Sequence, residues 1–212
     1  MARDRAHDRR DSGRGRVDEV RALRDRTCIA QGAARLIAEH GITDWSLAKR
    51  KAARALLLPD STAMPSNDEI EQALADHHAL FGGAAHAASL RRQRAEAILW
   101  MRRLAPWEPL LVGGVAAGWA TEHSDVRLEV VADDPKAVEI ALVGDGIAYA
   151  ASPPRDEADR QAGLAQLYIA TPRAGVLLSI VSPQQRRSRP RRDDELRLAV
   201  DAVLALQDEA GK

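Results

Sequence analysis

The chain has 212 residues, with AVILMFWYC at 45% and DEKR at 29%, a balance that belongs to a globular chain and not to a disordered one. Its 31 basic and 31 acidic residues cancel, so no global field draws it to nucleic acid or to an anionic membrane, and any such attraction is local. The single cysteine, Cys28, excludes an intramolecular disulfide and a thiolate zinc cluster, and no apolar run reaches the roughly 20 residues that span a bilayer.

Residues 1–16 carry six arginines and three aspartates without an apolar stretch. They read as a mobile charged arm and not as a secretory signal, so the expected compartment is the cytoplasm, with no membrane partner. Helical period begins at Val17 and runs through Val20, Leu23, Ala30, Ala33, Ala34 and Ile37 to Gly41, which can supply a left-handed C-terminal cap. Thr43 or Asp44 caps a second helix, Trp45 to about Leu58, where Arg50, Lys51 and Arg54 form a basic stripe beside Ala48, Ala52 and Leu56. Pro59 ends it. Ser66 or Asn67 caps a third helix, Asp68 to Leu80, whose acidic first turn suits the helix dipole. Gly82-Gly83 breaks that helix, and residues 17–84 form a helical N-terminal segment.

The remainder, 85–212, reads as an α+β core with a C-terminal helix. A fourth helix, about Ala85 to Leu104, closes before Pro106, and the period then changes. Leu110–Val112 and Val126–Ala132 are strands, with a Gly-rich turn over 113–118 between them. Asp134-Pro135 starts a helix to about Val143. Ile147–Ala151, Leu164–Ala170 and Val176–Val181 are further strands, the last two joined as a hairpin. Residues 152–163 read as a polar loop, 184–192 as a basic linker with five arginines, and Asp193–Asp208 as a helix.

The informative stretch is Leu111 to Val131, LVGGVAAGWATEHSDVRLEVV. A strand, Gly113-Gly114, ten residues, and then Asp125-Val126-Arg127 opening a second strand resembles the signature of the nucleotidyltransferase superfamily that includes DNA polymerase beta. In that signature a Gly-Gly or Gly-Ser pair precedes Asp-x-Asp by roughly this spacing. The chain also resembles a little-characterised bacterial family of nucleotidyltransferase-like proteins. The resemblance rests on AKRKAAR at Ala48–Arg54, GWATEHSDVRL at Gly118–Leu128 and PKAVE at Pro135–Glu139. It implies a mixed sheet flanked by helices, with Asp125 as a catalytic carboxylate and Gly113, Gly114 and Ser124 near a nucleotide's phosphates.

Nucleotidyl transfer needs divalent metal to neutralise the triphosphate and activate the attacking hydroxyl, which calls for two carboxylates on one strand face and a third nearby. Alternation places positions i and i+2 on one face. Here Asp125 holds the first position but Arg127 holds the second, and a guanidinium that cannot deprotonate repels Mg²⁺. The strands at 164–170 and 176–181 contribute Gln166 and Ser179 but no acid. Asp125, Arg127 and Glu129 are therefore expected to form an ion-paired patch on a retained fold. The expected function is a degenerate, non-catalytic nucleotidyltransferase-like protein that retains at most nucleotide or phosphate binding, and Mg²⁺ is implied only if transfer takes place.

Other signals are weaker. Gly113–Gly118 looks like the start of a phosphate loop, but Trp119 and Ala120 stand where Lys and Ser or Thr are needed. His77 and His78 are adjacent on a helix, about 100° apart around its axis, and do not converge on one ion. His123, Ser124 and Asp125 are sequence neighbours on a turn, which does not assemble a catalytic triad. The segment AARLIAEHGITDWSLAKRKAARAL resembles the opening helices of TetR-type repressors, so the alternative function is a nucleic-acid-binding or regulatory protein using the basic N-terminal helices.

Overall fold

The computed structural model describes residues 4–42, 44–153, 160, 164–188 and 196–209, with the backbone course alone given for 4–17. The protein is α+β and divides into two compact units, Met1–Phe81 and Gly82–Lys212.

The first unit is three helices: α1 (Asp4–His40), α2 (Trp45–Ala55) and α3 (Asn67–Phe81). Helix α1 already runs through residues 4–16, where the sequence suggests an arm, because extending a formed helix adds one hydrogen bond per residue and arginine is a good helix former. Small residues let α1 and α2 approach closely: a Cβ at Gly32 would lie 3.1 Å from the Ala52 Cβ. Ile29, Ala33, Ala48, Ile70 and Leu74 are fully buried between the helices. Gly41, at φ 62°, terminates α1 as expected, and the Asp44 carboxylate caps α2 by accepting from the Leu47 N–H.

Helix α3 starts with a reciprocal cap. The Glu69 N–H donates to Ser66 Oγ at 3.1 Å, and the Ser66 N–H donates to Glu69 Oε2 at 2.7 Å. Glu69 also accepts from Arg26 Nε of α1 at 2.9 Å. The Ser66 backbone hydrogen bond, with the nearby Arg26 charge, holds the Glu69 carboxyl below its ordinary pKa. A depressed carboxylate pKa contributes stability that is present above the unfolded value, near 4.3, and is lost as pH falls through the folded value. Ser66→Ala is expected to destabilise this unit by about 1 kcal/mol in urea unfolding. In Glu69→Gln the stability difference from wild type should shrink as pH is lowered below about 4.

The second unit is a six-stranded mixed sheet, one face of which builds the apolar core with the helices that cover it. Its elements in chain order are α4 (Gly83–Arg103), a 3₁₀ turn at Ala105–Trp107, β1 (Leu110–Val112), α5 (Gly114–Ala117), β2 (Val126–Val131), α6 (Pro135–Gly144), β3 (Ala150–Ala151), β4 (Ala165–Ile169), β5 (Val176–Val181), α7 (Pro183–Ser188), β6 (Arg197–Leu198) and α8 (Val200–Glu209). The strand order is β3-β4-β5-β2-β1-β6, with β2 and β5 parallel and every other pair antiparallel. The expected β4–β5 hairpin is present, closed by Thr171, whose hydroxyl donates to the Ala174 carbonyl at 2.6 Å.

Leu111, Val126, Leu128, Val130, Leu167, Ile169, Val176, Leu178 and Ile180 face the helices and form the core with Ala97 and Met101 of α4, Val138 and Leu142 of α6 and Val203 of α8. The other face carries Val112, Arg127, Glu129, Gln166, Tyr168, Leu177 and Ser179, and is therefore mixed in polarity.

Three sequence readings change here. Ile147 is not in a strand: its N–H closes the end of α6 on the Leu142 carbonyl after left-handed Gly146, so the strand shrinks to Ala150–Ala151. Part of the supposed basic linker is helix α7, which Ser182 and Gln185 cap reciprocally (Gln185 N–H to Ser182 Oγ 3.1 Å, Ser182 N–H to Gln185 Oε1 2.8 Å). Within the supposed C-terminal helix, Arg197–Leu198 instead add a strand to β1, and helix begins only at Val200. The loop at 152–163 and the arginines at 189–192 lie almost entirely outside the described residues. Among the described residues no helix is long and apolar enough to cross a membrane.

Candidate functional site

The segment that carries the sequence signature runs from β1 into β2, and α4 holds it in place. Gln93 of α4, buried to 4% exposure, donates from Nε2 to the Thr121 carbonyl at 2.8 Å and the Ser124 carbonyl at 3.0 Å. Arg94 Nε donates to the Val115 carbonyl at 3.2 Å, and His86 Nε2 lies 3.0 Å from the Gly118 carbonyl. Burial pushes the Arg94 pKa down from its ordinary value. Ser124 is occupied within the turn: its Oγ accepts the Thr121 N–H at 3.0 Å, and its own N–H donates to the Thr121 carbonyl at 3.1 Å.

Both glycines at the end of β1 have a steric reason to be there. Gly113 sits at φ 69°, ψ −154°, a region essentially reserved for glycine. A Cβ at Gly113 would lie 2.6 Å from Arg127 Nη1 and 3.0 Å from its Cζ, so the guanidinium rests directly on the glycine. A Cβ at Gly114 would lie 2.7 Å from the Trp119 ring. The bare backbone at this turn thus accommodates two side chains of the chain itself.

Asp125 stands just before β2, whose first residue donates its N–H to the Gly175 carbonyl at 2.8 Å. The Asp125 carboxylate and the Tyr168 hydroxyl close over Gly175, where a Cβ would collide with both. Two residues on, Arg127 pairs across the strands with Val112 and Leu177, both buried. Glu129 faces Leu110 and Ser179 and is only 2% exposed.

Asp125, Arg127 and Glu129 do fall on one side of β2, but their pairing differs from the expected patch. Glu129 accepts from Arg186 Nε of α7 at 3.1 Å and lies 3.6 Å from Arg197 Nη1 of β6, whereas among the described residues Arg127 has no ion pair. The reason is geometric. Alternate residues on one strand are about 6.6 Å apart, while arginines on α7 and β6 approach the carboxylate from across the sheet, and Gly113 leaves room for Arg127 to turn the other way. Arg186 also donates to the Glu108 and Glu129 carbonyls at 2.9 and 3.2 Å and lies 3.6 Å from the Glu108 carboxylate.

Sequence reasoning missed Arg186, Arg197 and Tyr168. The Ser182-Pro183-Gln184-Gln185 run was the available signal for Arg186, since it marks a helix start with proline at its first position. Two carboxylates near α6 are engaged elsewhere than beside Asp125. Asp134 caps α6 by accepting from the Lys136 N–H at 2.9 Å, and Glu139 accepts from the Tyr149 hydroxyl at 2.8 Å, which raises the tyrosine's pKa.

The donor set does not fit Mg²⁺. The position two residues after Asp125 is a permanent cation, the positions facing it and Glu129 on β5 are Leu177 and Ser179, and Glu129 is already neutralised by two guanidiniums.

No family model matches the chain, and no curated protein matches it. A solved structure of a cytoplasmic RNA terminal U-transferase is distantly similar, at 14% identity with a TM-score of 0.27, over 66% of this chain and 34% of that one. The match thus spans about a third of that protein's length.

Removing the charge of a buried, hydrogen-bonded carboxylate leaves its partner cations uncompensated, at a cost of about 3–5 kcal/mol. Glu129→Gln should therefore destabilise the second unit by about 3 kcal/mol in chemical denaturation. A loss below about 1 kcal/mol would place Glu129 with weakly coupled surface pairs instead.

Proposed function

We propose that the protein is nucleotidyltransferase-like in fold and does not carry out metal-dependent nucleotidyl transfer. The observation that carries this reading is Arg127, which stands on β2 two residues after Asp125, where the signature calls for a second carboxylate, with its guanidinium on the Gly113 turn. Magnesium would supply charge neutralisation of a triphosphate and activation of the attacking hydroxyl. This strand face opposes the ion with its own positive charge, and the acid that remains beside Arg127, Glu129, is held by Arg186 and Arg197.

Isothermal titration of the full chain with Mg²⁺ should show no saturable binding below millimolar metal. A radiolabel transfer assay with each of the four nucleoside triphosphates and Mg²⁺ should yield no product. Metal-dependent transfer that disappears in Asp125→Ala would overturn the reading and make Asp125 a catalytic residue.

A second reading concerns the first unit. Arg50, Lys51 and Arg54 are exposed on α2, while Ala48, Ala52 and Ala53 of the same helix are buried, so the basic stripe faces solvent. Such a stripe supports phosphate-backbone contact with nucleic acid, an interaction that weakens steeply with salt. A gel-shift titration with duplex DNA and with RNA should then show binding at low ionic strength that fades toward physiological salt and weakens in the triple Ala variant. No shift at low salt removes this reading.

A further inference from the structure

The Arg127 guanidinium rests on Gly113, and its cross-strand neighbours, Val112 and Leu177, are buried apolar side chains with no acceptor to offer. Among the described residues its charge has no ion-pair partner. An arginine cannot shed its proton to relieve such a position, so a partly buried guanidinium among apolar neighbours calls for an anion.

Two further arginines share this face. Arg197 flanks Val112 on the side opposite Arg127, about 10 Å away by strand spacing, and Arg186 lies over Glu129. Near this face three guanidiniums thus meet three carboxylates: Glu129, whose charge Arg186 and Arg197 share, Glu108, 3.6 Å from Arg186, and Asp125, which lies with Tyr168 over Gly175. Among the described residues the acids near this face are drawn to Arg186, Arg197 and Tyr168, and Arg127 is the cation left without an ion pair.

We propose that Arg127, seated on Gly113, is the anchor of a metal-independent phosphate site, taking the phosphate group of a nucleotide or free phosphate on its planar fork. The proposal rests on the preceding reading, because an Mg²⁺ ion at this face would compete with the same guanidinium. A phosphate fits better than a carboxylate, since it carries more negative charge to the guanidinium left without an ion pair and its oxygens accept the planar fork in two places.

The test is isothermal titration of the full chain at low ionic strength, in EDTA and again in Mg²⁺, with inorganic phosphate, a nucleoside triphosphate, the unphosphorylated nucleoside and acetate. Saturable binding of phosphate or triphosphate is expected in EDTA, no tighter in Mg²⁺, with none for the nucleoside or acetate. A preference for triphosphate identifies a nucleotide as the source of the phosphate group, and equal affinity identifies free phosphate. Arg127→Ala should weaken binding about tenfold or more, as for loss of charge-assisted hydrogen bonds. Arg127→Lys, which keeps the charge and the fold but not the fork, should weaken it several-fold. Arg92→Ala, an exposed arginine of α4, should leave binding unchanged. Binding that requires Mg²⁺, that acetate reproduces, or that survives both Arg127 variants overturns the proposal, as does its absence from wild type. Transfer product in Mg²⁺ overturns the underlying reading instead, and the two failures are distinct.

Discussion

A carboxylate exposed to only 2% is tolerable in a sheet because guanidiniums meet it there, and Glu129 has two. Its partners come from elements far along the chain: Arg186 follows β5, and Arg197 begins the outermost strand beside β1. The pairing thus joins the middle of β2 to both of the last elements before the C-terminal helix. Arg186 adds main-chain contacts, since its Nη2 reaches the carbonyls of Glu108 and Glu129. A side chain that bridges a carboxylate and two carbonyls has little freedom left, and the short helix carrying it becomes a fixed part of the sheet's second face.

The same pairing decides what the rest of that face can do. Glu129 is committed to Arg186 and Arg197, and among the described residues Arg127, two residues earlier, has no ion pair. Gly113 then matters for a reason unlike the one its motif suggests. A glycine turn at the end of a strand is ordinarily valued for the room it leaves a ligand's phosphates, yet here the room is taken by Arg127, and the space over Gly114 by Trp119. The motif persists in the letters of the sequence while its space is filled from within.

Much of this was legible beforehand where local chemistry decides the outcome. The helix starts at Asp44 and Ser66, the stop at Gly41, the β4–β5 hairpin and the side-sharing of Asp125, Arg127 and Glu129 follow from caps, turns and alternation within a few residues. Pairing across the sheet was not legible. Nothing in the spacing of Arg186 or Arg197 announces that they converge on Glu129, because their meeting depends on strand order, and β6 is too short to show a period. Tyr168 was passed over for the same reason, since only the hairpin register brings it to Gly175 beside Asp125. The short capped helix at Pro183 was readable from its Ser-Pro-Gln-Gln start, but its arginines obscured it by looking like a linker.

The order of the strands has one more consequence. Both ends of the six-stranded sheet are finished by two-residue strands, β3 at one side and β6 at the other. A sheet whose inner strands are apolar over five or six residues, as β4 and β5 are, is a template for recruiting further chains wherever such a strand lies at an open border. Two residues offer too few free main-chain groups to seed that growth, so the brevity of β3 and β6 works against fibril-like stacking and self-association through the sheet.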